Sequence, residues 1–339
     1  MSDPVRAHSV PAGTFEAPAA AELAVAERSG FIENRHIGSA IVLSPDGERM
    51  LTLGSPDSHV LPRSTLKPFQ AVASIGAGAR LDAEQTALAT ASHAGTPQHI
   101  AVVRRILADA GLDADALRCP PALPADRGAR DEVLRAGGAP AQVYMECSGK
   151  HAGMLAACAA SSWTIADYTD PRHPLQQHVK DVVERLTGEK VAHTAVDGCG
   201  APVFAVTLAG LARGVQRMAT ASEQSPFALF RNAAWVHRSA REHPWAISGP
   251  GRPDTVLMET LDCYAKAGAD GMMTIATSDG TTAAVKVLDG SVSAARVAAV
   301  GLLARTGAIE VAAAKAALDR AETAILGGGV PVGRLRPAT

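Results

Sequence analysis

From Leu66 to Leu211, hydrophobic residues recur mostly at i, i+3 and i+4, with breaks at glycine or proline. This period predicts helices over roughly 64–77, 83–91, 98–110, 130–136, 149–160 and 174–187. Short β-like pieces interrupt the run near 142–145 and 191–196. Upstream, two apolar-rich segments at 38–43 and 49–53 flank Ser44-Pro45-Asp46-Gly47, which reads as a β-hairpin. Downstream, a helix is expected over 226–241, followed by the loop Ile247-Ser248-Gly249-Pro250-Gly251-Arg252-Pro253. Strands at 272–277 and 281–287 are separated and followed by Asp-Gly turns, and a helix from 291 to about 306 comes next. Hairpin, helices, hairpin and terminal helix together predict an α/β (α+β) fold, with helices packed on a mostly antiparallel sheet. The first 20 residues are rich in Ala, Pro, Gly and Ser without an apolar period, and poor order is expected there. No linker divides residues 21–339, so they read as one domain.

Composition narrows the classes. The 339 residues are 47% hydrophobic and 19% charged, a globular balance, and aromatics reach only 4%, which favours closely packed Ala-rich helices. Lys plus Arg number 32 against 34 Asp plus Glu, with no basic run, so nucleic acid is not an expected partner. No apolar stretch reaches the ~20 residues that span a bilayer, and the N-terminus lacks a signal-type apolar core, so the expectation is a cytoplasmic protein without a membrane partner. Five irregularly spaced cysteines without a CxxC pair argue against a disulfide framework and leave free thiols or ligands.

Several segments carry chemistry-bearing side chains. Ser64-Thr65-Leu66-Lys67 is an S-x-x-K tetrad, and residues at i and i+3 share a helix face, so the Lys amine can reach the Ser hydroxyl. Pro68 requires the tetrad to sit in the first helical turn, where missing amide partners cost little and the helix dipole favours an oxyanion. Such a base needs an amine depressed from its ordinary pKa of ~10.4 by burial or a neighbouring cation. Cys147-Ser148-Gly149-Lys150-His151-Ala152-Gly153 crowds thiol, hydroxyl, amine and imidazole before an apolar helix, though a Gly-containing cap beside a buried Cys has the same composition. Asp197-Gly198-Cys199-Gly200 suggests a sharp loop exposing an acid and a thiol, and Cys147 with Cys199 could hold a soft metal such as zinc. Ser92-His93 closes a predicted helix. Lys266-Ala267-Gly268, expected just before a strand, is similar to the K-T-G element of acyl-serine enzymes, with Lys286 as the alternative second lysine.

In this order and spacing, over roughly residues 20–310, the segments Pro62-Arg63-Ser64-Thr65-Leu66-Lys67-Pro68-Phe69-Gln70, Ser92-His93, Cys147 to Gly153, Asp197-Gly198-Cys199 and Lys266 to Gly271 resemble the thermolabile, Rhizobium etli-type L-asparaginase II family. The resemblance implies a fold similar to serine β-lactamases and penicillin-binding transpeptidases, a homodimer, and hydrolysis of L-asparagine to L-aspartate and ammonia. It implies Ser64 as nucleophile with Lys67 as base, and Ser92 with Lys266 as a second Ser-Lys pair. It further implies a zinc site at Cys147, Lys150 and Cys199, no organic cofactor, and Arg63, His93, Asp197 and Lys150 around the substrate. Lysine ligates metal only as the free amine, so such a site is expected to weaken as pH falls.

Two segments depart from the family pattern. Ala94-Gly95-Thr96 stands where a small polar residue or Asn, then Gly and an acid, are expected, and Pro120-Pro121-Ala122-Leu123-Pro124 replaces a His-aromatic-Pro pattern. Both leave room for a related amidohydrolase acting on glutamine or a β-lactam, or for a non-catalytic ligand or metal sensor on the same scaffold.

Overall fold

The computed structural model of the chain describes residues 13–321 and 323–338. The expectation of poor order up to residue 20 falls partly outside them; from residue 13 the chain is placed, with Phe15 buried and a 3-10 turn at Ala17–Ala19.

The main sheet begins with β1 (Ala21–Arg28), β2 (Phe31–Leu43) and β3 (Arg49–Leu53). The expected hairpin is β2–β3, and its turn closes through Ser44 N–H to Glu48 O with Gly47 at φ +86°. Strand β4 (His59–Val60) leads into a 3-10 turn, Arg63–Leu66, and then α1 (Lys67–Gly76) with Pro68 in its first turn. The expected helix at 64–77 therefore starts as 3-10, which keeps Lys67 at the junction that a following proline tolerates.

Helices α2 (Ala83–Ala89), α3 (Pro97–Asp109), α4 (Arg127–Arg135), α5 (Ser148–Ala160) and α6 (Pro174–Thr187) fall where the period puts them. Helix α3 starts at a capping box: Thr96 accepts from His99 N–H, and His99 reaches back to Thr96 N–H. Helix α5 is buried from Ser148 to Cys158, as its apolar circumference requires, and packs against α1, α2 and α3. The piece at 142–145 is not a strand: Gln142–Tyr144 makes a 3-10 turn, too short and too confined before α5 to find a β partner.

Strands β5 (His193–Val196) and β6 (Pro202–Thr207) pair with β4 in the order β4-β6-β5, and α7 (Leu208–Ala219) follows directly. The expected helix at 226–241 is α8 (Ala228–Glu242); α9 (Pro244–Ile247) and α10 (Pro253–Thr260) bracket the glycine loop. The chain then makes β7 (Cys263–Gly268), β8 (Met272–Thr277), β9 (Thr282–Val287), α11 (Val292–Arg305), α12 (Val311–Arg320), β10 (Ala324–Gly327) and β11 (Val330–Pro337).

Among the described residues the main sheet runs β10-β11-β1-β2-β9-β8-β7, with β3 on β2, and every pair is antiparallel. The first strand lies between β2 and the last, with Ala24 opposite Pro337. Both α7 and α11 pack on β8 and β9, whose residues are buried almost throughout, so strand alternation is absent there. All five cysteines are free, and no described helix is long and apolar enough to cross a membrane.

Candidate active site

Four separate stretches converge where the 3-10 turn meets α1. Arg63 holds φ +52°, the left-handed region that a side chain enters at a cost of order 1–3 kcal/mol, immediately before Ser64, which lines a cavity at the start of the helix. Gly268 lets β7 lie against this turn: a Cβ there would stand 2.8 Å from Pro62 O. Likewise Gly149 lets the start of α5 press on the end of α2, since its Cβ would come within 2.5 Å of Leu88 O. The segment after α2 is held on both sides, by Ser92 N–H to Ile247 O and His93 N–H to Glu146 O.

Lys67, Lys150 and Lys266 are only 1%, 3% and 0% exposed, rare for a residue type that is almost always at the surface. Lys67 Nζ donates to Ala91 O at 2.6 Å and to Ser92 Oγ at 2.9 Å. Lys266 Nζ donates to the same Ser92 Oγ at 3.0 Å and to Ala267 O at 2.9 Å. Two amines thus share one hydroxyl. Burial, then the Lys67 charge, pulls the Lys266 amine down to about 8, against the opposing pull of Asp254 and Glu146. The run from Lys266 leads into β8 as expected, but Lys266 itself lies inside β7, a strand not expected from sequence. The alternative lysine, Lys286, sits elsewhere: its amine donates to Asp270 O.

The hydroxyl of Ser64 makes no hydrogen bond among the described residues. It faces a cavity of about 290 Å³ together with Ser92, Lys266, Glu146, Ser248, Arg252, Asp254 and Arg296. Its size suits a small ligand, below the ~300–1,000 Å³ of drug-sized sites. Asp254 is committed on both oxygens, to Ala267 N–H at 2.8 Å and to Arg296 at 3.2 Å, and so ties β7 to α11.

A second cluster centres on Cys199. Lys150 Nζ stands 2.9 Å from Cys199 Sγ. The Cys147 thiol, opposed by burial but helped by Lys150 and His151, drives Cys199 far below the usual thiol range, to a thiolate. Cys147 is raised correspondingly, first by its bond to Cys199 and then by burial. For Lys150 burial acts downward, yet the neighbouring sulfurs carry the balance upward, so Lys150 and Cys199 form a buried ammonium–thiolate pair. His151 Nδ1 and the Tyr168 hydroxyl share a hydrogen bond of 2.6 Å, and His151 Nε2 is buried without a hydrogen-bond partner among the described residues. Among the described residues no set of three His, Cys, Asp or Glu side chains is placed to hold a metal. The two sulfurs suit a borderline-soft cation, whereas Lys150 would become a donor only on losing its proton.

Arg63 Nε donates to Asp197 at 2.7 Å and its other end pairs with Asp270, so the arginine clasps the loop carrying Cys199 to the β7–β8 turn. It lines a different cavity, of about 350 Å³, with His59, His193 and Lys286. His93 is 1% exposed with both nitrogens engaged: Nδ1 accepts from Gly95 N–H at 3.1 Å, so Nε2 carries the hydrogen to Ser148 Oγ at 2.8 Å. Burial, followed by the charges of His99 and Lys67, holds it well below the ordinary histidine range. The departures around Ser92 have structural work: Gly95 turns the chain at φ +75° and Thr96 caps α3. In the other departure, Cys119 is buried and donates to Gln142 O, with its thiol pushed up by burial to about 11.

The structure thus gathers Ser64, Lys67, Ser92 and Lys266 in one place and Cys147, Lys150 and Cys199 in another. Glu146 and Arg252 were not marked by sequence reasoning, although Glu146 adjoins the cysteine block and Arg252 lies in the noted glycine loop. A profile of the L-asparaginase II family matches residues 24–337. No curated protein matches the chain.

Proposed function

Since the chain belongs to the L-asparaginase II family, and with it to the amide hydrolases of asparaginase type, we propose that it hydrolyses L-asparagine to L-aspartate and ammonia through a serine ester. The observation that carries this reading is the convergence of two buried lysines on Ser92 Oγ beside the unengaged Ser64 hydroxyl.

Ser64 is the nucleophile. Its proton passes to Lys67, three residues along the same turn, once that amine is neutral, and the pair closes up when substrate is bound. The Ser92 hydroxyl, held by Lys67 and Lys266, links the two amines and can hand the proton to the leaving ammonia. Amides at the start of α1 support the oxyanion, a role worth ~3–4 kcal/mol per donor in other hydrolases. A water activated by the same lysines then cleaves the aspartyl ester.

Cys147, Lys150 and Cys199 would hold zinc, which when bound would supply a fixed positive charge that orients and polarises substrate. The two sulfurs suit such an ion, and Lys150, an ammonium in its pair with Cys199, would have to release its proton to join them. A homodimer is part of the same proposal, and analytical ultracentrifugation reads it directly.

The test is ammonia release from L-asparagine and L-glutamine by the wild type and Ser64→Ala, with peptide mass spectrometry of acid-quenched turnover. Serine-dependent release and an aspartyl ester on Ser64 are expected. An ester on Ser92 would move the nucleophile to the residue on which both lysines converge. Near-normal release by Ser64→Ala would end the Ser64 assignment.

A further inference from the structure

The cavity beside Ser64 carries more charge than the acyl-transfer steps use. Its wall includes Lys266, Asp254, Arg296, Glu146 and Arg252. Three of these are buried and tied to the protein. Lys266 is bound to Ser92 and Ala267 O, and Asp254 uses both oxygens on Ala267 N–H and Arg296. Arg296 is held by Asp254 through Nη2, and its Nε is buried without a hydrogen-bond partner among the described residues. The other two are exposed and form no side-chain hydrogen bond or ion pair among the described residues.

One free carboxylate and one free guanidinium on a cavity of about 290 Å³ are the complement of a small zwitterion. Their backbones are fixed independently. Glu146 O accepts His93 N–H, which ties Glu146 to the Ser92 segment, and Arg252 sits at the N-terminus of α10 with its N–H on Gly249 O. We infer that Glu146 and Arg252 form the clamp for the α-carbon of the substrate, Glu146 accepting from the α-ammonium and Arg252 donating to the α-carboxylate. The inference rests on the asparaginase reading for the identity of the zwitterion. Two charged anchors plus the reacting carbon at Ser64 make three points of attachment, so the clamp also selects the L over the D enantiomer.

Titration calorimetry with three commercial ligands separates the two roles: L-aspartate, succinate, which lacks the ammonium, and 3-aminopropanoate, which lacks the α-carboxylate. Glu146→Gln is expected to weaken L-aspartate by about tenfold or more, the loss of one charge-assisted hydrogen bond, and to leave succinate unchanged. Arg252→Gln should weaken L-aspartate and succinate alike and leave 3-aminopropanoate unchanged, with partial recovery in Arg252→Lys. In turnover, both substitutions should raise KM for L-asparagine far more than they lower kcat.

If either variant changes all three ligands equally, or changes none, the clamp is wrong. If the wild type releases no ammonia yet shows the expected ligand pattern, the hydrolase reading fails and the clamp stands. Normal ammonia release without that pattern overturns the clamp alone.

Discussion

Lys266 is a group whose service to the site is expected to weaken the fold. Its amine is 0% exposed and held near 8, against an ordinary 10.5. At ~1.4 kcal/mol per pH unit, that gap corresponds to roughly 3 kcal/mol of strain in the protonated native state. Between pH 8 and 10.5 the unfolded chain binds the proton and the native one does not, so stability rises with pH across that window. Below 8 both states are protonated and the full cost is present. Lys266→Met keeps the length of the side chain and removes the charge. It gives up bonds to Ser92 Oγ and Ala267 O, each worth about 1 kcal/mol, so a net gain of about 1–2 kcal/mol is expected at pH 7. Guanidinium denaturation of wild type and variant at pH 7, 8, 9 and 10 measures this. The variant's advantage should shrink with pH and reverse towards 10, while ammonia release collapses at every pH. A variant less stable than wild type at pH 7, with a difference that does not vary with pH, would show that no buried ammonium is strained there.

Two further perturbations probe the frame around the site. Cys199→Ala removes the counter-ion of Lys150 and should cost ~3–5 kcal/mol in denaturant, most of it recovered in the double variant Lys150→Met/Cys199→Ala; a cost below about 1 kcal/mol would mean the buried pair is not ionic. Gly149→Ala drives a methyl into Leu88 O and should destabilise by ~1–3 kcal/mol, read as a lower denaturation midpoint, with a larger proportional loss of activity because the Ser92 segment follows α2.

How much of this was legible in the sequence depended on whether a signal was local. Helices such as α6, whose bounds match expectation, announce themselves by period and by Gly188 at the C-terminal cap, φ +73°. Strand β7 did not: Cys263-Tyr264-Ala265-Lys266-Ala267-Gly268 has a lysine in mid-run, and only the partners Asp254, Ser92 and Ala267 O explain a charge buried there. Strands β1, β10 and β11 were missed: the β1–β11 pairing spans about 300 positions, which no window along the chain can register, whereas the β1–β2 and β10–β11 hairpins turn at Ser29-Gly30 and Gly328-Gly329, signals that lay in the sequence. Gln142–Tyr144 has β-forming residues, but the approaching α5 overrides that preference. The motifs marked the lysines and serines individually. They pointed to Lys67 beside Ser64, whereas the folded chain puts both Lys67 and Lys266 on Ser92.

The pairing of the first strand with the last carries a consequence for biosynthesis. While residues 330–337 are still inside the ribosome, β1 has β2 on one side and an open row of amides and carbonyls on the other. The nascent sheet is therefore exposed to strand capture by neighbouring chains until β11 has emerged. Slow synthesis of the C-terminal codons lengthens this vulnerable interval, whereas a chaperone that masks the N-terminal edge shortens its effect. Soluble yield should depend on the tempo at which residues 324–337 are translated.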